Sequence, residues 1–384
     1  LNFDRANAAA GARFIAAKPA QEDAVSRSAL VGVLVAALSF APAAQACTGI
    51  RLVAKDGGVV AARTLEFGLD LHSNVLVVPA GTALTGTLPD GGKGISYTTK
   101  YGFLGANAEG MNVILDGLND HGLYVGLFYF PDYASYPDAT KDNAAHAMAP
   151  YEYANWLLGN FATIDEVKAN FNKVALVPVA LDAMKQVPPV HFVVFDRSGK
   201  SAVIEPLDKT LKIFDNPLGV VTNSPNFEWH MTNLRNYVNL TATNVPPLGL
   251  GGITLAQFGQ GSGLRGLPGD FTPPSRFVRA VAFSQSAIPS DTAEQAVLQA
   301  FHILNNFDIP YGAVRDTQGG QMHAEYTTWT SASDLKNLRW YFRTYGDQSI
   351  HSVDLTKTLA AAQGKIKLIK MDSPQPIDDV STDF

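Results

Sequence analysis

Cysteine is nearly absent from this chain: Cys47 is the single one in 384 residues. A lone thiol excludes an intramolecular disulfide, so the fold is not a disulfide scaffold in any compartment. Charge is also sparse, at 17% of residues against 46% apolar, a composition that buries a sizeable core and is not that of a disordered chain. The net charge is −6 with Lys and Arg scattered, which leaves no electrostatic footprint for nucleic acid. No apolar run reaches the roughly 18 residues that span a bilayer, so no stable membrane anchor is expected in a processed form. The eight histidines form no H-E-x-x-H and no close pair, which argues against zinc catalysis and for ordinary surface or core positions. No metal or other cofactor is expected. Gly261-Ser262-Gly263-Leu264-Arg265-Gly266 fits G-x-G-x-x-G but neither follows a strand nor opens a helix. Ser333-Asp334-Leu335-Lys336 fits S-x-x-K without the S-D-N and K-T-G that accompany it in serine β-lactamases.

What is present begins just before Cys47. Arg27, the apolar run from Ala29 to Ala41 and Ala44-Gln45-Ala46 together have the form of an export signal with an A-x-A cleavage site. The expected organisation is a leader over residues 1–46 and one catalytic domain over 47–384, in a periplasmic or secreted protein. A membrane anchor and a lipidated cysteine are the rivals; Ala43 to Ala46 lacks the leucine of a lipobox. Residues 1–46 hold four basic and three acidic side chains, so their loss takes the charge to −7. Cleavage after Ala46 makes Cys47 the first residue. The chain as numbered is then a precursor, its leader loosely packed or obstructing the cleft.

After Cys47 the pattern is rich in strands. Strands are expected at Cys47–Ala54 and Val59–Leu65 around the turn at Lys55-Asp56-Gly57-Gly58, and at Val75–Val78. Met111–Leu118 and Leu123–Phe130 read as a hairpin around Asn119-Asp120-His121-Gly122. Helices start near Tyr151, with a capping box at Thr163-Ile164-Asp165-Glu166. A hairpin at His191–Asp196 and Ala202–Glu205 follows, then extended segments at Leu211–Phe214 and Val220–Asn223. Residues 241–274 read as a long irregular connection. Helices are expected at Pro274–Ser286 and Asp291–Asn306, the second capped by Asp291 with Glu294. Strands return at Met322–Trp329, Leu338–Arg343 and Ile366–Lys370. Without βαβ alternation a doubly wound sheet is not supported; helices between antiparallel hairpins suggest helices layered on sheets.

The chemistry centres on Cys47. An α-amine titrates near 7.7–8.0 and a thiol near 8.5, so an N-terminal cysteine carries its own base beside a strong nucleophile. The plain alternative is a small buried hydrophobe. A hairpin of the first two strands returns Arg63 to Cys47, where its charge favours thiolate. Glu66 could hold or orient the amine. An ordinary ion pair on a strand accounts for Arg63 and Glu66 equally well.

These residues resemble the choloylglycine hydrolase family, which includes bile salt hydrolases and penicillin V acylases. Cys47-Thr48-Gly49-Ile50-Arg51 looks like the family's mature N-terminus. Asn119-Asp120-His121-Gly122-Leu123 and Gly126-Leu127-Phe128-Tyr129-Phe130-Pro131 resemble its Asn-x-x-Gly-Leu turn and following strand. Val221-Thr222-Asn223-Ser224-Pro225-Asn226-Phe227 resembles its Thr-Asn-x-Pro motif, and Asn233-Leu234-Arg235-Asn236-Tyr237 its Asn-Leu-x-x-Tyr segment. Gly266-Leu267-Pro268-Gly269-Asp270 and Pro274-Ser275-Arg276-Phe277-Val278-Arg279 are the most specific match. The resemblance covers most of residues 47–345.

It implies an α+β fold, the four-layer αββα sandwich of N-terminal nucleophile hydrolases, and a homotetramer. It implies Cys47 as nucleophile, Asn223 and the Tyr129 backbone N–H as oxyanion donors, and Arg63 and Arg276 as positive charge near the thiol. Glu66 departs from the family's usual Asp. The implied reaction is hydrolysis of a linear amide of an apolar acid, with Phe67, Phe128, Phe130 and Tyr133 expected to bind the acyl group. Tyr129 is similar to the penicillin V acylase side of the family, which suggests phenoxyacetyl or aliphatic acyl amides, N-acyl homoserine lactones of quorum signalling among them. The alternatives are a bile salt hydrolase acting on glycine or taurine conjugates and, from another class, a non-catalytic secreted binding protein with Cys47 in its core.

Overall fold

The structure, a computed structural model, describes residues 46–182, 184–318 and 321–381. The expected leader, apart from Ala46, lies outside the described residues.

Two antiparallel sheets form the centre. The seven-stranded sheet runs Val220–Val221, Cys47–Val53, Val59–Phe67, Gln321–Asp334, Arg339–Thr344, His351–Asp354, with Val314–Gln318 also paired on Gln321–Asp334. The eight-stranded sheet runs Thr210–Asp215, Ser201–Leu207, Val190–Asp196, Leu123–Tyr129, Asp116–Asn119, Phe103–Ala106, Asn74–Val78, Lys367–Lys370. Helices Pro273–Ser286 and Ala293–Leu304 cover the first sheet; Tyr153–Asn160 and Ile164–Asn170 cover the second. The sheets face each other through the Cys47 and Tyr129 strands. This is the expected α+β sandwich with helices outside and sheets within.

Layering explains the sequence pattern. A sheet covered on both faces buries both sets of side chains, so Val190–Asp196 is buried along its whole length instead of alternating. One glycine sets the spacing between the sheets. A Cβ on Gly49 would lie 2.8 Å from the Phe128 ring and 2.8 Å from a Val221 methyl. The bare Cα lets the Cys47 strand settle onto Phe128.

The turn motif at 119–122 proves structural. Asn119 Oδ1 accepts from the N–H groups of His121 (3.1 Å) and Leu123 (2.9 Å), and its Nδ2 donates to the carbonyls of Leu158 and Phe161. One side chain thus ties the hairpin to the helix above it, while Gly122 takes the required positive φ of 78°.

Several boundaries differ from expectation. The strand expected from Met111 begins at Asp116, because Asn155 satisfies the preceding backbone through Ile114 N–H and Asn112 C=O. The cap of the helix Ala293–Leu304 is Thr292, one residue after Asp291; its side chain accepts from Gln295 N–H, and Gln295 Oε1 accepts from Asp291 N–H. The connection 241–274 contains a small exposed hairpin, Leu248–Leu250 with Ile253–Leu255. The hairpin Ala83–Thr87 with Lys93–Thr98 and the helices Phe227–Asn233 and Leu355–Ala362 were not anticipated.

Candidate active site

Cys47 opens a central strand directly opposite Leu65, with Gly49 opposite Arg63. The period of two along a strand puts Arg63 on the face that Leu65 and Cys47 share. Arg63 Nη2 donates to Cys47 Sγ at 2.9 Å. The rest of the guanidinium is fixed by the carbonyls of Leu115 (3.2 Å) and Leu127 (2.5 Å) and lies 4.1 Å from the Phe128 ring centroid. Cys47 is 4% exposed. Burial pushes its thiol pKa up, Arg63 pulls it down, Glu66 raises it and Arg276 lowers it. Arg63 therefore favours thiolate as expected, against a larger opposing effect of burial.

Asn223 follows the short strand Val220–Val221, which pairs with the Cys47 strand. Its Oδ1 accepts from Cys47 N–H at 2.8 Å, and its Nδ2 donates to the Tyr129 carbonyl at 2.7 Å. An amide nitrogen carries two hydrogens, so one remains for a substrate oxygen. Leu127 N–H bonds toward the strand at 116–119, and Phe130 N–H bonds to Pro189 on the opposite side. That alternation turns the Tyr129 N–H to the same edge as its carbonyl, toward Asn223.

Arg276 enters from the first turn of the helix Pro273–Ser286 and is fully buried. It donates to the Cys47 carbonyl, to Thr48 Oγ1 (2.9 Å), to Asn223 Oδ1 (2.7 Å) and to the Phe271 carbonyl (2.8 Å). Arg276 places positive charge near the thiol, as expected, and its guanidinium also grips the Cys47 backbone and the Asn223 amide. The role expected of Glu66 concerns a free α-amine, whereas here the Cys47 nitrogen is a peptide amide joined to Ala46. Cys47 N–H bonds to Asn223, while Glu66 Oε1 accepts from the Thr327 hydroxyl at 3.2 Å and Oε2 has no hydrogen-bond partner among the described residues. Burial raises the Glu66 pKa to about 7, against Arg276. The Glu66 backbone N–H donates to the Ala46 carbonyl at 2.9 Å, which extends the hairpin ladder into the residue before Cys47.

Sequence reasoning missed Glu325. It precedes Thr327 by two on a paired strand, so both point to one face, and Thr327 is in register with Glu66. Burial and the Glu66 charge push its pKa to about 8. Only the strand pairing reveals this second carboxyl, because the two lie 259 positions apart. Among the described residues no group of three His, Cys, Asp or Glu side chains is placed to hold a metal ion.

An apolar cavity of about 80 Å³ adjoins Cys47 and Arg63, lined by Leu65, Phe67, Leu127, Tyr129, Met184 and Val190 among others. Through Phe67, Leu71, Ala108, Tyr151, Leu181 and Met184 it continues into an outer hollow of about 640 Å³. Of the four expected acyl-binding aromatics, Phe67 lines it. Phe128 lies buried under Gly49 and Arg63, and Phe130 is buried with its ring 4.3 Å from that of His191. Tyr133 packs on Phe130 away from the cavity lining. Strand alternation gives the reason: Leu127 and Tyr129 take the cavity face, and Phe128 between them takes the other.

A sandwich of two antiparallel sheets between helices, with a cysteine at the head of an inner strand held between Arg63 and Asn223, is a geometry suited to nucleophilic acyl transfer. The family described as "Linear amide C-N hydrolases, choloylglycine hydrolase family" matches residues 47–370, and the chain belongs to that family. Bile salt hydrolase/transferase of Clostridium perfringens is 33% identical over 81% of this chain and 93% of its own length. Penicillin V acylase of Pectobacterium atrosepticum is 26% identical over 79% of each. Among solved structures, a variant of conjugated bile acid hydrolase from Clostridium perfringens superposes with a TM-score of 0.77 at 31% identity, covering 87% of this chain and 100% of its own. Penicillin V acylase from Agrobacterium tumefaciens, at TM-score 0.69 and 23% identity over 85% of this chain and 92% of its own, shares the fold. The protein is an enzyme for linear amides, and the reading as a non-catalytic binding protein is set aside.

Proposed function

We propose that this enzyme cleaves amides of slim apolar acids, in the manner of a penicillin V acylase, with phenoxyacetyl and aliphatic acyl groups including N-acyl homoserine lactones as substrates. The observation that carries this reading is the cavity beside Cys47 Sγ: narrow, apolar and widening outward past Phe67 and Met184. A small apolar acyl chain fits the part of the cavity next to the thiol, with room for a longer or bulkier remainder in the outer hollow. The second reading is a bile salt hydrolase, favoured by the names of several relatives at 30–36% identity.

In the mechanism we infer, removal of the residues before Cys47 frees its α-amine. The amine takes the Sγ proton, and the thiolate forms a C–S bond to the amide carbonyl. Asn223 Nδ2–H and Tyr129 N–H donate to the resulting oxyanion, each worth roughly 3 kcal/mol. The C–N bond then breaks, the leaving amine takes the proton from the α-ammonium, and water hydrolyses the thioester. The match of the family beginning at Cys47 supports this start point. Export to the periplasm or beyond rests on Arg27, the apolar run 29–41 and the A-x-A site. The exposed apolar side chains of Leu248, Leu250, Ile253 and Phe258 support assembly into a homotetramer.

The test is hydrolysis of penicillin V, a long-chain acyl homoserine lactone and glycocholate in parallel by the chain starting at Cys47. A clear preference for glycocholate selects the second reading. Cys47→Ser should lower kcat by on the order of a thousandfold or more with an unchanged melting temperature; normal turnover would refute the nucleophile assignment.

A further inference from the structure

Two buried imidazoles hold consecutive carbonyl groups of the segment that carries Asn223. His191 Nε2 lies 3.0 Å from the Thr222 carbonyl oxygen, and His230 Nε2 lies 2.9 Å from that of Asn223 itself. Each ring is 2% exposed. Each is also fixed by stacking, His191 on Phe130 at 4.3 Å and His230 on Phe277 at 4.6 Å.

The hydrogen positions follow from the partners. A carbonyl oxygen only accepts, so both Nε2 atoms carry hydrogen. His191 Nδ1 faces Glu205 Oε1 at 3.2 Å, and that contact is attractive only with a proton between them. Glu205 Oε1 also accepts from Phe227 N–H at 2.9 Å. His230 Nδ1 has no hydrogen-bond partner among the described residues, and burial pushes the ring's pKa down to about 4, so it is neutral at ordinary pH. Thr222 O, Asn223 O and Phe227 N–H are thereby pinned from one side. The Asn223 side chain projects to the other side, toward Cys47 N–H, Arg276 and the Tyr129 carbonyl.

We propose that His191 and His230 are positioning residues for the oxyanion site: they fix the backbone of Thr222 and Asn223 so that the Asn223 amide meets the developing charge. This rests on the reading of Asn223 as an oxyanion donor. A donor of that kind contributes about 10²–10³ in kcat when aligned, and a misplacement of about 1 Å can cost on the order of 10²-fold.

The experiment is a double-mutant cycle on the chain starting at Cys47, with phenoxyacetyl amide hydrolysis as the assay. His230→Phe keeps a ring against Phe277 and removes the donor; His230→Gln keeps an N–H near the Nε2 position. The expected results are a fall of about tenfold in kcat for His230→Phe with KM within twofold, and recovery to within about threefold of the parent for His230→Gln. In an Asn223→Ala background, His230→Phe should have no further effect on kcat. His191→Phe and His191→Gln should behave alike and serve as the second pair if a position 230 variant fails to fold. Full additivity with Asn223→Ala, a loss confined to KM, or no rescue by Gln overturns the positioning role. An unchanged kcat for Asn223→Ala alone refutes the oxyanion reading instead, a separate outcome.

Discussion

At the scale of single residues, the site is a contest between burial and charge. Cys47, Glu66 and Glu325 are all removed from water, and burial is the largest influence on each, raising every pKa. Arg63 and Arg276 oppose it. A carboxyl whose pKa rises from an ordinary 4.5 to about 7 or 8 binds its proton more tightly folded than unfolded. Its stabilising contribution is full below pH 4.5 and is lost as pH climbs through the folded value. The chain retaining Ala46 should therefore be more resistant to urea at pH 5 than at pH 8, and a Glu66→Gln/Glu325→Gln double variant should show a flatter dependence. Equal pH dependence in the two proteins would show that the carboxyls are not protonated in the fold.

At the scale of elements, the Cys47 hairpin and the strand behind it act as one unit. Gly49→Ala places a methyl against Phe128 and Val221 in a covered, close-packed layer. A cost of about 1–3 kcal/mol in unfolding free energy is expected, and Phe128→Leu in the same chain should return part of it; additive losses in urea titrations would show that the two side chains do not meet. The hairpin itself was legible in the sequence, since apolar runs flank a Gly-Gly turn and the register follows from the turn. That register brought Arg63 to Cys47 as expected. Contacts that cross between distant elements were not legible. Thr327 and Glu325 reach Glu66 only through pairing of strands far apart in the chain. His191 and His230 read as ordinary surface or core histidines because nothing in their neighbours discloses which carbonyls they meet. Phe128 and Phe130 were misplaced for a simpler reason: proximity in sequence to Tyr129 says nothing about which face of the strand a side chain takes.

At the scale of the whole molecule, the proposed mechanism requires that nothing precede Cys47. Ala44→Arg together with Ala46→Arg should block removal of residues 1–46, and that protein should turn over at least about a hundredfold more slowly than the chain starting at Cys47, for want of a basic amine. Intact mass gives the cleavage state, and light scattering on the same samples reads the assembly; equal turnover by both proteins would contradict the self-contained base. The rung between Glu66 N–H and the Ala46 carbonyl then takes on a second meaning. Cleavage after Ala46 removes the acceptor and leaves a backbone donor, buried in the interior, without its mate. On the proposed start at Cys47, the same cut that creates the amine would open a vacancy in the hydrogen-bond lattice beside it, and a water or carbonyl oxygen filling that vacancy would stabilise the processed state. Processing at that bond would then be recorded in the backbone as well as in charge.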